Sequence, residues 1–570
     1  MTRINAEPIH DPEFEEAVLS GRSYLVVDYG HSACVATLYD VVEGHYRMIG
    51  RGEGLNTSGP PWFDLSYGLQ QAIAQIAAAT GRKLLTLQGQ LVRPMRSDGS
   101  GVDYFGATVS LGEPLRVIVA GLLENASIAN ARKALQAVYA REVACLSLDD
   151  RRGRPGQVEA ILEHQPDVLF FVGGTDGGAD KQMRDLLNTI AMALELQAEL
   201  VRPTVIYGGN ASLRPLVMKE LSELTEVHFV DNVQPAYGEE QIDHAIAMLA
   251  QLYYSLKVAD EASSGILTDW SNEAPISSAH AFGGVAEYLA AARKAPVLGI
   301  DVGAGQVTLL SAVDGQVNLL IRSDKGLGRP LRQQLLAGKN GAAEEATEGP
   351  GGQGPLADYI IDKSVHPDLI PLSKRAAKFE LALASRLIRQ VVTEAAAAWS
   401  WPDDGYTPPF HTLLLRGRVF ANAGNQREAL MALLDGLQAQ GVFRIVADGW
   451  GILPAMGLLA AEDPNMVVQM LNGPDLTPMA WVVSPTGRYK TGQHMLDVSV
   501  TTASGSTAAA KVPAGGLTIL PLALDERHEI ALSPVTGIDV GAGPGQSRQL
   551  RISSAIMGLV IDGRKRPADT

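Results

Sequence analysis

The feature that most constrains the fold of this chain is a short pattern that occurs twice. An apolar run of strand length ends in an aspartate, a glycine turn follows, and alternating apolar segments come next. The first copy has Asp28 after residues 24–27, and the second has Asp301 after residues 296–300. Because the copies share this design without close sequence identity, they predict an internal repeat and therefore two related lobes.

Each aspartate turn offers the groups that a phosphate site needs. Backbone N–H groups in such a turn can surround a phosphate, and a strand-end carboxylate can hold Mg²⁺ through water. Ordinary Asx-type turns at strand ends are the structural alternative. Two such turns on two lobes would suit a phosphate clamped between them. The candidate residues are Asp28, Gly30 and Ser32 in the first copy and Asp301, Gly303 and Gly305 in the second.

The rest of the chain reads as α/β. Short apolar runs alternate with segments of helical spacing, which predicts an α/β fold with mainly parallel strand pairing. The length of 570 residues is a prior for two to four domains. We expect a first lobe at residues 1–295 with an inserted α/β segment at about 84–265. A second lobe follows at 296–473, and short alternating segments at 474–570 predict a small all-β C-terminal domain.

A further glycine-rich turn lies inside the inserted segment, directly after an apolar run at residues 168–172. It contains Gly173, Gly174, Thr175 and Asp176 ahead of a long helical segment. A turn with so many glycines lets a ligand approach the backbone closely, and the N-terminus of the next helix attracts an anion. The alternative is a strained strand-to-helix turn in which Asp176 caps the helix.

Composition argues against several classes of function. The formal charge of −16 disfavours nonspecific nucleic-acid binding, which needs a basic surface. Two cysteines are too few for a disulfide framework or a cysteine-rich metal site, and the histidines have no metal-ligand spacing. No apolar run approaches the roughly 20 residues of a spanning helix, and residues 1–11 lack an apolar signal core. We therefore expect a cytoplasmic protein without nucleic-acid or membrane partners.

The order of these motifs resembles the MutL-like (GlmL) proteins associated with adenosylcobalamin-dependent glutamate mutase. The resemblance runs from about residue 25 to residue 567. Its most specific blocks are PDVLFFVGGTDGG at 166–178 and GLVIDGRKRP at 558–567. Such proteins are placed in the actin/Hsp70/sugar-kinase ATPase superfamily. The resemblance therefore implies a two-lobed actin-like (RNase H-like) ATPase fold.

The resemblance also implies a function and a site. It implies an ATP-binding accessory protein, chaperone- or reactivase-like, that serves the subunits of an adenosylcobalamin-dependent mutase, with ATP and Mg²⁺ as cofactors. Asp301 would orient or deprotonate the attacking water, and Asp28 would hold Mg²⁺-bound water. By the same analogy, Asp28 and Gly30 match the first phosphate loop. The second phosphate loop is matched by Asp301, Gly303 and Gly305. The adenosine would lie near Gly417 or near the turn with Gly449 and Gly451.

Three departures from the family pattern predict slow nucleotide turnover, or binding without hydrolysis. The first loop continues HSACV and keeps only Ser32 as a hydroxyl group. The second loop continues Gln306-Val307-Thr308, where the family has Thr-Thr-Asp. The glycine pair expected near the adenosine is replaced by Arg416-Gly417-Arg418. Each change removes a phosphate donor, a carboxylate or close backbone access. The sequence leaves open a non-catalytic scaffold with a degenerate cleft and a small-molecule kinase with Asp176 as its base. A homodimer is also left open.

Overall fold

A computed structural model describes residues 21–59, 61–198, 202–258, 265–336, 354–402, 404–471, 473, 476, 478–523 and 526–564. The amino-terminal residues 1–11 and the last residues of the GLVIDGRKRP block lie outside these ranges. Within them, no helix combines the length and the apolar character needed to cross a membrane.

The first lobe is built on a mixed sheet whose first four strands are formed early in the chain. They are β1 (Tyr24–Gly30), β2 (Ala33–Val42), β3 (His45–Leu55) and β4 (Tyr104–Ser110). β2 runs antiparallel to β1 and β3, whereas β4 runs parallel to β1. Helix α1 (Leu65–Thr80) packs its apolar face on this sheet. It begins where the Asp64 side chain accepts a hydrogen bond from the Ser66 N–H group.

An inserted doubly wound unit follows β4. Its five strands are all parallel and lie in the order β6-β5-β7-β8-β9. The strands lie between Ser110 and Ile276, so the inserted sheet starts after β4, later than residue 84. The elements are β5 (Leu115–Ala120), α2 (Ser127–Gln136), β6 (Ala140–Leu146), α3 (Gly153–His164), β7 (Val168–Gly173), α4 (Lys181–Leu196), β8 (Thr204–Gly209), a 3₁₀ turn (Ala211–Leu213), α5 (Arg214–Leu221), β9 (Val227–Phe229), α6 (Asp243–Tyr253), a π turn (Tyr254–Val258) and α7 (Gly265–Trp270).

The chain then returns to the first sheet. Strand β10 (Ile276–Ser277) pairs in parallel with β4, and helix α8 (Ser278–Arg293) follows it. The completed sheet has the order β10-β4-β1-β2-β3. In order of appearance within the lobe, this is a 3-2-1-4-5 sheet with an antiparallel first hairpin, which is the RNase H-like arrangement.

The second lobe repeats this arrangement. Strands β11 to β15 lie in the order β13-β12-β11-β14-β15, with the same antiparallel hairpins and parallel neighbours. The predicted two-lobed actin-like fold is therefore confirmed. The elements are β11 (Val297–Val302), β12 (Val307–Val313), β13 (Gln316–Arg322), α9 (Arg329–Leu336), α10 (Pro355–Val365), α11 (Lys374–Ala398), β14 (Thr412–Arg416), α12 (Arg418–Ala421), α13 (Gln426–Leu437), β15 (Gly441–Ala447), α14 (Leu453–Glu462) and α15 (Pro464–Leu471).

The remaining described residues are all-β, as predicted, but they do not form one separate sheet. Strands β16, β24 and β20 extend the second lobe beyond β15, whereas β19-β18-β21-β23 form a sheet of their own and β17 pairs with β22. The strands are β16 (Pro478–Ser484), β17 (Thr486–Gly487), β18 (His494–Thr502), β19 (Thr507–Pro513), β20 (Leu517–Leu520), β21 (Arg527–Pro534), β22 (Ile538–Asp539), β23 (Arg548–Ser553) and β24 (Leu559–Asp562).

The two lobes meet where α8 crosses α14. Apolar residues from both helices and both sheets form one buried cluster, which includes Phe282 and Leu459. Gly457 permits this crossing, because a Cβ atom at that position would collide with the carbonyl oxygen of Ala281. The arrangement places the carboxyl ends of β1 and β11 on opposite sides of one cleft.

Candidate functional site

A cavity of about 150 Å³ lies between the lobes at the carboxyl ends of their central strands. Both aspartate turns contribute to it. Each copy of the repeated motif therefore reaches the same cavity from a different lobe. The predicted residues among its lining are Asp28, Gly30, Ser32, Asp301, Gly303, Gly305, Gly417, Gly449 and Gly451.

Asp28 is held rigidly at the end of β1. Parallel pairing places it beside Thr108 of β4, and the Thr108 hydroxyl donates to Asp28 Oδ1 at 2.8 Å. The Ser278 hydroxyl, at the start of α8, donates to the same oxygen at 2.6 Å. With its side chain only 6% exposed, Asp28 depends on these donors for the hydrogen bonds that water would otherwise supply.

Asp301 occupies the matching place in the second lobe, but its neighbour differs. Parallel pairing of β11 with β14 sets Arg416 beside it, where the first lobe has Thr108 beside Asp28. Arg416 Nη1 donates to Asp301 Oδ2 at 2.7 Å. The repeat thus substitutes a cation for a hydroxyl at the equivalent strand position.

Arg416 joins three carboxylates at the centre of the cleft. Its Nη2 pairs with Asp28 of the other lobe, and its Nε lies 3.7 Å from Asp448 Oδ2. Asp448, at the end of β15, accepts hydrogen bonds from the N–H groups of Ile452 (2.8 Å) and Leu453 (3.0 Å) at the start of α14. One guanidinium therefore ties both lobes and three strand ends together.

The electrostatics keep this group charged. Burial by itself would lower the pKa of Arg416, but Asp28, Asp301 and Asp448 raise that pKa above its usual value. Burial raises the pKa values of Asp301 and Asp448, and the charge of Arg416 partly offsets that rise. Because three acids already surround Arg416, another anion that bound here would have to replace one of the carboxylates.

The two turns also touch each other. The imidazole of His31 packs against Gly305, where the absence of a side chain leaves room for the ring. His31 Nε2 lies 3.1 Å from the Gly112 carbonyl oxygen and 3.0 Å from the Tyr139 hydroxyl. Burial lowers the pKa of His31 to about 4, so the ring is neutral near pH 7. His31 closes the cleft as an uncharged group.

A second set of polar contacts bridges the lobes at the rim. Arg418 pairs with Glu53, and Arg51 Nε donates to the carbonyl oxygen of Trp450 at 2.7 Å. Burial would raise the pKa of Glu53, but Arg51 and Arg418 hold it below its usual value. Arg51, Glu53 and Arg418 line the cavity together with the three strand-end acids.

The glycine-rich turn after β7 does not reach this cavity. Gly173, Gly174, Thr175 and Asp176 lie at the carboxyl end of a strand in the inserted sheet. Asp176 Oδ1 accepts from the Ala211 N–H group and from Asn232 Nδ2, both at 2.9 Å. Asp176 ties together the turns that follow three neighbouring strands, and it does not cap α4, whose N-terminus has no side-chain cap.

The arrangement does not fit a bound Mg²⁺. In the described part of the chain, no cluster of three or more histidine, cysteine or acidic side chains could hold a metal ion. Asp28 Oδ1 accepts from two hydroxyls and Oδ2 pairs with Arg416, which also holds Asp301. The guanidinium occupies the position between the two aspartates where the sequence predicted the metal.

Sequence reasoning missed Arg416, Asp448 and Glu53 as members of the site. Asp448 could have been found, since it follows an apolar strand and has a glycine next to it, whereas Asp28 and Asp301 have a glycine two residues on. Arg416 and Glu53 carry no comparable local signal, because their roles depend on pairing between distant segments.

A model of the MutL protein family matches residues 24–473. The chain belongs to the MutL protein family. The MutL match includes both lobes, the inserted sheet and every residue of the cavity described above, and it ends before β16. No curated protein is significantly similar in sequence.

Comparison with solved structures gives distant likenesses over long stretches. A nucleotide-free acetone carboxylase structure aligns with a TM-score of 0.36 and 10% identity, covering 86% of this chain and 81% of that one. The nucleotide-free diol dehydratase-reactivating factor gives 0.29 and 10%, covering 77% and 99%. Component A of (R)-2-hydroxyglutaryl-CoA dehydratase from Acidaminococcus fermentans gives 0.27 and 10%, covering 76% and 96%. At these TM-scores the fold assignment stands on the strand order of the MutL chain itself.

Proposed function

We propose that this protein binds an adenine nucleotide in the cleft between its lobes and acts as an ATP-dependent accessory protein of an adenosylcobalamin-dependent mutase such as glutamate mutase. One observation carries the nucleotide site: the aspartate turns of both lobes face one cavity, with Asp28, Asp301 and Asp448 around Arg416. Membership of the MutL family supports the accessory role. We place the protein in the cytoplasm, with mutase subunits as its partners.

In this proposal Arg416 is the group that meets the phosphates. A guanidinium pairs with phosphate oxygens as readily as with carboxylates, often through two parallel hydrogen bonds. A bound nucleotide would compete with Asp28 and Asp301 for the same donors. Arg416 then supplies the positive charge that the sequence assigned to Mg²⁺, and the proposal gives the metal no step.

Nucleotide binding requires the cleft to widen. The cavity of about 150 Å³ is smaller than the roughly 300 Å³ at which sites for drug-sized ligands begin. The contacts that must break are the Arg418–Glu53 pair and the bond from Arg51 to the Trp450 carbonyl, both of which join the lobes at the rim. Binding is therefore coupled to lobe opening, as a protein that acts on a partner would require.

Hydrolysis in this cleft is slow. We assign Asp301 to orient or deprotonate the attacking water, but Arg416 holds its carboxylate in the closed cleft. The non-catalytic scaffold remains the second candidate, and the occupation of the site by Arg416 favours it. The kinase is disfavoured, because its proposed base, Asp176, lies on the inserted sheet and bonds to neighbouring turns.

The test is calorimetric titration with ATP and ADP, in EDTA and in Mg²⁺, on the wild type and Asp301→Asn. Asp314→Asn is the matched control, since Asp314 lies at the turn between β12 and β13 in the same sheet. We expect the wild type to bind ATP in EDTA. Asp301→Asn should bind ATP about tenfold more tightly, because one carboxylate that competes for Arg416 is gone, and this variant should lose any residual hydrolysis. The control should match the wild type.

Two results would count against the proposal. If the wild-type protein binds neither nucleotide at millimolar concentration, the nucleotide site is wrong and the non-catalytic scaffold is the function that remains. If binding needs Mg²⁺ and is weaker in Asp301→Asn, then the aspartates hold a metal ion in the complex and Arg416 does not have the role proposed for it.

A further inference from the structure

A second cavity, of about 520 Å³, lies at the end of the second-lobe strands that is opposite to the nucleotide cleft. The nucleotide cleft is at the carboxyl ends of β11, β14 and β15, whereas this cavity lies where those strands begin. Pro296, Pro409 and Phe410 give it an apolar wall. The C-terminal strands close its other side, with Thr486 and Arg548 among the lining residues.

Arg548 lines this cavity, and two further arginines, Arg444 and Arg293, act with it on His411 in the cavity wall. Arg444 of β15 is buried, and its side chain makes one hydrogen bond, from Nε to the Thr412 hydroxyl at 3.1 Å. Arg548 donates to the carbonyl oxygens of Val540 and Gly541. Within the described ranges, neither these two nor Arg293 forms an ion pair. Buried charges are normally paired, so this cluster lacks its counter-charge.

The charges of the three arginines act on one residue, His411, which lines the cavity. Burial lowers the pKa of His411 to about 4, and the charges of Arg444, Arg293 and Arg548 lower it as well. Burial and the charge of Arg293 also lower the pKa of Arg444 to about 9. Mutual repulsion of this kind is relieved when an anion binds.

Neutral polar groups lie beside these arginines. The Thr412 hydroxyl accepts a hydrogen bond from Arg444 Nε at 3.1 Å and lies 3.0 Å from His411 Nδ1. The indole of Trp481 lies edge-on to this ring, 5.8 Å away, and its buried Nε1–H group has no acceptor among the described residues. Trp481 therefore stands directly behind His411, a residue of the cavity wall.

One carboxylate lines the cavity, and it is already engaged. Asp539 Oδ1 accepts hydrogen bonds from the N–H groups of Gly541, Ala542 and Gly543, at 2.6, 3.0 and 2.9 Å. Its charge raises the pKa of Arg548, although burial outweighs that effect. The balance of three guanidinium groups against one carboxylate stays positive.

We propose that this cavity binds a small oxyanion, a phosphate or carboxylate group, whose charge faces Arg548 with the charges of Arg444 and Arg293 behind the His411 wall, and whose remaining atoms pack against Phe410 and Pro409. The site takes a separate ligand from the nucleotide cleft, because the two lie at opposite ends of the same strands. It also joins the second lobe to the C-terminal strands, so its ligand stabilises that junction.

The experiment titrates the full chain with inorganic phosphate and, separately, with acetate, by calorimetry. The variants are Arg548→Gln and a matched control, Arg551→Gln, on the same strand β23 with its side chain 79% exposed. We expect at least one anion to bind the wild type, Arg548→Gln to weaken that binding by about tenfold, and the control to match the wild type. The stronger of the two anions identifies the ligand chemistry.

A spectroscopic readout avoids dependence on a variant that fails to fold. With ¹⁵N-labelled tryptophan, the indole signal of Trp481, assigned by Trp481→Phe, should shift as the anion binds. The proposal is overturned if neither anion binds at millimolar concentration. It is also overturned if Arg548→Gln binds as the wild type does, or if an anion binds while the Trp481 signal stays fixed.

Discussion

Replacing Arg416 with glutamine tests the central claim about the cleft. The substitution removes the cation that joins Asp28, Asp301 and Asp448, and it keeps a side chain of similar polarity. The three acids are well shielded from solvent, with side-chain exposures of 6%, 16% and 0%. They would then face one another without a counter-charge.

The size of the effect follows from this burial. Removing one partner of a buried ion pair typically costs about 3–5 kcal/mol, because the other partner stays buried and unpaired. For a unit of the size of the second lobe, each kcal/mol shifts the midpoint of thermal unfolding by roughly 2–4 °C. We therefore expect the transition of the cleft-bearing lobes to fall by roughly 10 °C at pH 7.5.

The pH dependence provides a sharper signature. Burial already raises the pKa values of Asp301 and Asp448 above their unfolded values, and loss of Arg416 removes the charge that offsets this rise. A carboxyl group whose folded pKa is raised binds its proton more tightly in the folded state. Its contribution to stability is present at low pH and is lost as the pH rises through the folded pKa. The deficit of Arg416→Gln should therefore shrink as the pH is lowered from 7.5 to 5.

Differential scanning fluorimetry at both pH values makes this measurement, with Arg418→Gln as the control. Arg418 is the next arginine along the chain, but its pair with Glu53 is about one-third exposed, so its loss should cost at most about 1 kcal/mol. Equal midpoints for the wild type and Arg416→Gln at pH 7.5, or a deficit that is the same at pH 5, would refute the reasoning.

Three further predictions follow from the same structure. Gly457→Val should lower the unfolding midpoint and the yield of folded protein, because its side chain would collide with Ala281 where the lobes cross; Gly457→Ala, measured beside it, should do so less. His31→Gln should reduce the loss of stability between about pH 6.5 and pH 4, since the imidazole takes up a proton there in the unfolded chain but stays neutral when buried, and urea titrations across that range would show it. Lys363→Met should cost about 3–5 kcal/mol by leaving Glu380 buried and unpaired, whereas the double variant with Glu380→Leu should regain most of it.

The two-lobed fold was accessible from sequence because its signal is local. A strand, an aspartate and a glycine hairpin lie within a few residues of one another, and the pattern occurs twice. The start of the inserted sheet was harder to place, since β4 at Tyr104–Ser110 interrupts its apolar residues with glycine, threonine and serine. The C-terminal strands were recognisable because apolar and polar residues alternate along them. This alternation is the same whichever sheet a strand joins, so the sequence did not show that some of them pair with the second-lobe sheet.

The candidate site divides in the same way. The meeting of Asp28 and Asp301 follows from the repeat alone, because equivalent turns of two related lobes face one cleft. The contact of Arg416 with both depends on the register of β14 against β11 and on the approach of the other lobe. The turn at Gly173 and Gly174 has strong local character, yet it serves the inserted sheet, where its positive φ angles let Asp176 reach the neighbouring turns.

The position of the last described strand makes the second lobe depend on a segment that is synthesised long after the lobe's other strands. β24, at Leu559–Asp562, lies inside the extended sheet between β16 and β20. While the ribosome is still adding these residues, β16 has no neighbour on that side and exposes a row of unpaired backbone groups. A chain released early would keep this open edge and would be prone to pair with other unfinished chains. The extended sheet therefore closes only once residues 559–562 have been made.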